Sequence, residues 1–117
     1  MSSEAAADSE DVVVLMTIEE VDAATVPAFA AELDSAMARY RSVRQAATGL
    51  SSTLVIDLRQ VRFLDSKGLQ SLLDVHREAV AAQGRIRLDN AEGVVLRVLE
   101  ITGTLDHVNG NGSSPSG

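Results

Sequence analysis

Residues Leu54–Ala79 read LVIDLRQVRFLDSKGLQSLLDVHREA, and the change of hydrophobic period inside this stretch decides the fold. Leu54, Val55, Ile56, Asp57 and Leu58 form a short apolar run, the pattern of a strand buried on both faces. A brief apolar link follows through Val61, Phe63 and Leu64. After Asp65, Ser66, Lys67 and Gly68, the apolar residues Leu69, Leu72, Leu73, Ala79 and Val80, with His76 among them, recur at helical spacing, so a helix begins almost on the serine. Gly84 is placed to end it as a C-terminal cap.

The same alternation extends outward in both directions. Upstream, Val12 to Met16 is a continuous apolar run, predicting a strand covered on both faces. Thr25 and Pro27 then open a helix whose stripe is Val26, Phe29, Ala30, Leu33, Met37 and Tyr40, with Glu32, Asp34, Arg39 and Arg41 on its solvated side. The stretch from Arg44 to Ser52 reads as a loop. Downstream, Arg85 to Leu88 alternates as a short strand, and Val94, Val95, Val98, Leu99 and Ile101 mark a last helix closed near Gly103. Strand and helix therefore alternate three times, the signature of an α/β domain with a small parallel or mixed sheet and helical crossovers.

The 117 residues fit one domain, expected over 12–108. The first eleven residues are Ala, Ser and acid without apolar periodicity, and 109–117 (NGNGSSPSG) is a string of turn formers, so both ends are expected to be flexible tails. The formal charge is −7, which disfavours unspecific attraction to nucleic acid or anionic membranes. Four of the 17 acids lie in the N-terminal tail, leaving 13 against 10 bases in the remainder, so the folded part is only mildly acidic. With no cysteine there is no disulfide, thiolate metal site or cysteine nucleophile. No apolar run is long enough to span a membrane and the start lacks the basic residues of a signal peptide, so the expected location is cytoplasmic. Two distant histidines give no metal-ligand spacing, no glycine loop cradles phosphate, and three aromatics are too few to stack bases; neither metal nor cofactor is expected.

Ser66 is the residue with chemical interest. A hydroxyl at a helix start commonly serves as a cap, yet the residue three positions on is Leu69 rather than Glu or Gln, so no reciprocal capping box forms. Asp65 is an alternative cap that would free Ser66. A phosphoryl group on Ser66 would then lie where the helix macrodipole and N–H groups favour an anion. Gly68, costly within a helix by about 1 kcal/mol, suggests a close approach of another backbone. A hydrolase built on Ser66 meets a geometric obstacle: His76 is ten residues along the same helix, roughly 15 Å at 1.5 Å per residue. His107 is unconstrained by the sequence, and no G-x-S-x-G elbow surrounds Ser66, so no catalytic residue is assigned. Asp57, ending its strand, reads as a turn-capping residue.

The segment Leu54–Ala79, together with EEVDAATVPAF (Glu19–Phe29) and the late TGTLDHV (Thr102–Val108), resembles STAS domains, in particular the bacterial anti-sigma-factor antagonists. Their pattern is an apolar strand ending in Asp-Leu, a short apolar link, and Asp-Ser-Ser/Thr-Gly opening an apolar helix. The resemblance implies a partner-switching protein. Unphosphorylated, it would bind an anti-sigma factor with serine kinase activity and free a sigma factor. Phosphorylated at Ser66, it would release that kinase until a PP2C-type phosphatase restored it. Asp22 aligns with the loop aspartate flanking the serine, and Asp65 and Gly68 with the motif, making Asp22, Asp65, Ser66, Lys67 and Gly68 the implied partner-binding residues. Lys67 departs from the family's second Ser or Thr, and Glu19 from its loop glycine. The second reading under the same resemblance is a non-switching STAS adaptor within a stressosome or a lipid-transport ABC complex.

Overall fold

The computed structural model describes residues 11–46 and 52–110. The central strand is β3 (Leu54–Asp57), every residue of which is buried, as its unbroken apolar run requires. It is flanked in parallel by β1 (Val12–Leu15) and β5 (Ile86–Asp89). Register fixes the two faces: Val12 pairs with Leu54 and Leu54 with Ile86. Because side chains alternate along a strand, Val12, Val14, Leu54, Ile56, Ile86 and Leu88 share the inner face, and Val13, Leu15, Val55, Asp57, Arg87 and Asp89 the outer one.

The inner face is covered by helices. Helix α1 (Val26–Ala46) contributes Phe29, Leu33, Met37 and Tyr40, and α2 (Ser66–Ala81) contributes Leu72, Val75 and Ala79. Helix α3 (Gly93–Ile101) and helix α4 (Thr104–Asn109) add Val95, Leu99 and Val108 to the same core. A second, two-stranded parallel ribbon joins β2 (Glu20–Val21) to β4 (Phe63–Leu64). Full burial of an aliphatic side chain such as Leu72 stabilises the fold by roughly 1.5–3 kcal/mol, so this cluster is where the domain's stability is concentrated.

The α/β fold with parallel strands and helical crossovers agrees with the sequence reading. Several details do not. Among the described residues, β1 is an edge strand whose outward residues Val13 and Leu15 remain 56% and 40% exposed, so it is not covered on both faces. Helix α1 continues through Ala46, placing Arg44 in its last turn rather than in a loop, because its guanidinium donates to the carbonyls of Ala82 and Gln83. The left-handed residue closing α2 is Gln83 (φ 62°), not Gly84. Gly84 is required for a different reason: a Cβ there would lie 2.7 Å from the Tyr40 hydroxyl oxygen. Helix α3 is followed by α4, which the sequence reading lacked. Asn109, expected in the tail, is its last residue; its Oδ1 accepts from the Leu88 N–H at 2.8 Å and its Nδ2 donates to the Leu88 carbonyl at 3.2 Å. The expected tails at 1–10 and 111–117, and most of the expected loop at 47–51, lie outside the described residues. No helix among the described residues is long and apolar enough to cross a membrane.

Candidate functional site: the tip of helix α2

The ribbon of β2 and β4 sets the position of the helix tip. Val21 pairs with Leu64, and the Asp65 N–H donates to the Val21 carbonyl at 3.0 Å. Asp22 and Asp65, the next residue of each strand, thus leave the ribbon side by side. Each carboxylate then organises the chain after it. Asp22 Oδ1 accepts from the N–H groups of Ala24 and Thr25, at 3.0 and 3.1 Å, forming the turn ahead of α1. Asp65 is the N-cap of α2, its Oδ1 accepting from the N–H groups of Lys67 and Gly68, both at 3.0 Å.

With Asp65 as cap, Ser66 is the first residue of α2, exposed, and its hydroxyl has no hydrogen-bond partner among the described residues. Lys67 is exposed beside it. Gly68 is buried, and the reason is side-chain packing rather than a neighbouring backbone: a Cβ would come within 2.6 Å of Leu64 Cδ1 and Val21 Cγ1. The missing side chain lets the first turn of α2 rest on the ribbon. All five residues expected from the sequence are therefore gathered at or beside this tip, with Asp22, Asp65 and Gly68 shaping it and Ser66 and Lys67 presented to solvent. The pairing of Val21 with Leu64 was not legible, since a two-residue strand is too short to show a period.

The positive end of the α2 macrodipole lies at the tip and already faces the Asp65 carboxylate, and Lys67 follows Ser66 in the first turn. The N–H groups of Lys67 and Gly68 are already engaged by Asp65, so a phosphoryl group on Ser66 would draw on the dipole and Lys67 rather than on those two donors.

The other groups singled out by sequence have structural duties. Asp57 accepts from the Arg59 backbone N–H and guanidinium and from Asn90 Nδ2 at 3.0 Å. Burial alone would raise its pKa, but the hydrogen bonds from Asn90 and Arg59, with the Arg59 charge, hold the carboxyl below its ordinary value. It is the turn cap that its position suggested. His76 packs edge-on against His107, with ring centroids 4.9 Å apart, and its Nδ1 is buried without a partner. Burial lowers its pKa, and the neighbouring His107 and Arg77 charges lower it further. Both histidines serve the opposite end of α2 from Ser66.

This arrangement of strand, ribbon and aspartate-capped helix is accompanied by a match over nearly the whole chain: the sequence profile of the STAS domain fits residues 5–114. The chain belongs to the STAS domain family. No curated protein matches it. The STAS match spans both segments quoted above, so in this STAS domain the Asp-Ser-Lys-Gly turn and the Asp22 turn are parts of one surface built on the β2–β4 ribbon.

Proposed function

We propose that this STAS domain is an anti-sigma-factor antagonist, a cytoplasmic binding module without catalytic activity of its own. It would bind an anti-sigma factor with serine kinase activity when Ser66 is unmodified, and be restored by a PP2C-type phosphatase after phosphorylation. The observation that carries this reading is the division of labour at the helix tip: Asp65 supplies the cap, leaving the Ser66 hydroxyl exposed and unbonded. A serine so placed can enter a kinase site without local unfolding. A phosphate there adds about −1.5 to −2 of charge at the centre of the surface, weakening its fit to the same partner with no change of fold. The binding role, rather than hydrolysis, is supported by His76, which lies about 15 Å along the helix and is packed against His107.

The test is to incubate the full chain with anti-sigma kinases of its own genome and ATP, and to locate any phosphate by mass spectrometry, with Ser66→Ala as control. Phosphate on Ser66 with weakened kinase binding is expected. Binding without transfer across the kinase set would replace the switch by the non-switching adaptor role, with Lys67→Ser the first reversion to make.

A further inference from the structure

The two edges of the three-stranded sheet are finished differently. At β5 the outward N–H and C=O of Leu88 are both taken by the side-chain amide of Asn109, which closes that edge as a neighbouring strand would. At β1 the groups facing β3 belong to Val12, Val14 and Met16, as the bonds from the Val12 and Met16 N–H groups to Thr53 and Asp57 show. The N–H and C=O groups of Val13 and Leu15 therefore point out of the sheet, and none has a partner among the described residues. The strand is Val-Val-Val-Leu, with none of the charges or prolines that commonly protect an open edge.

We propose that β1 pairs with β1 of a second copy of this chain about a two-fold axis, joining two three-stranded sheets into one of six strands. Antiparallel pairing centred on Val14 places Val13 of one copy opposite Leu15 of the other, in the positions where both main-chain bonds are exchanged. It also sets Val13 beside Leu15 on the outer face, covering the side chains that are 56% and 40% exposed in the single chain.

The flank of the edge carries the matching charges. Between β1 and α1 runs a groove of about 330 Å³, lined by Leu15, Ala31, Glu32, Ser35 and Arg39 among others. Ala31 and Ser35 are small and exposed, so a second helix can approach closely. Glu32 is fixed at the C-terminal end of β1, accepting from the Thr17 N–H at 3.0 Å and from the Thr17 hydroxyl. Arg39 lies seven residues further along α1, about 10 Å towards the N-terminal end of β1, and its guanidinium has no partner among the described residues. A two-fold axis through Val14 brings the C-terminal end of one β1 to the N-terminal end of the other, so Glu32 of each copy faces Arg39 of its mate. Residues 1–10 are a poorer occupant: MSSEAAADSE contains no β-branched or aromatic residue and three acids.

Light scattering of the full chain during size exclusion, over a range of concentrations, measures the mass directly. A species of twice 12.4 kDa is expected. Leu15→Lys, which places a charge on the edge, and Val13→Pro, whose lost N–H serves no bond to β3, should each return the monomer with an unchanged circular dichroism spectrum. Glu32→Lys and Arg39→Glu should each weaken self-association about tenfold by setting like charges opposite one another twice, and a mixture of the two variants should recover it as a heterodimer. A monomer at every concentration overturns the proposal, including the case in which deleting residues 1–10 creates the dimer, since those residues would then own the edge. A dimer indifferent to Leu15→Lys and Val13→Pro overturns it as well. None of these readouts involves Ser66, so the result is independent of the proposed switch.

Discussion

At its N-terminal tip, α2 holds a hydroxyl with no bond to make; past its C-terminal end, the hydroxyl of Tyr40 makes two. Tyr40 Oη donates to the Ser52 carbonyl at 2.8 Å and accepts from the Arg85 N–H at 2.9 Å, while the Arg44 guanidinium holds the carbonyls of Ala82 and Gln83. Both ends need a glycine, for opposite purposes. Gly68 lets the helix sink onto the β2–β4 ribbon so that Ser66 stands exposed, and Gly84 makes room for a buried phenol that ties α1 to β3 and β5. One end is built so that a polar group stays available; the other uses its polar groups to lock three elements together. At the tip, Asp65 has taken over the capping that would otherwise occupy the Ser66 hydroxyl.

Breaking the locked end should cost most. Gly84→Ala would drive a methyl into Tyr40, which its two bonds prevent from moving away, and a loss of about 3 kcal/mol is expected in chemical denaturation. Tyr40→Phe keeps the ring but strands the Ser52 carbonyl and the Arg85 N–H, for about 2 kcal/mol by the same measurement. At the available end the effects shrink. Asp65→Ala removes the cap from the Lys67 and Gly68 N–H groups and should lower stability by about 1 kcal/mol.

His76 sharpens the contrast through pH. Its folded pKa lies below the ordinary 6.5, so the unfolded chain binds the proton first and the folded state loses stability as pH falls through and below that value. Denaturation curves at pH 7.5 and 5.5 should show this loss, and His76→Gln should flatten it. Smallest of all is Ser66→Ala, expected to change stability by less than about 0.5 kcal/mol because the hydroxyl bonds to nothing. The same change should abolish phosphate transfer in the kinase assay, separating function from folding at that residue.

Much of the candidate site was legible because its signals are local. Capping depends on residues within one helical turn, so the absence of Glu or Gln after Ser66 and the presence of Asp65 before it offered Asp65 as an alternative cap, and the structure made the choice. Gly68 was recognisable as a position needing a reason, though not which reason: the atoms that exclude its Cβ belong to Val21 and Leu64, and Val21 is more than forty residues away in the chain. Gly84 was assigned a role in ending the helix that Gln83 performs. The choice turned on Tyr40, whose position above residue 84 is a property of how α1 crosses α2.

The sequence by itself determined the alternation of strands and helices, the apolar strand runs and an Asp-Ser pair at the start of a helix. Each of these rests on hydrophobic period or on bonds within four residues of chain. Only the tertiary structure decided that β1 is an edge, that Asn109 closes the opposite edge, and that β2 and β4 pair into the ribbon beneath Ser66. An apolar run looks the same in the middle of a sheet and at its rim, because the period of a strand records which way side chains point and not whether a neighbour lies alongside.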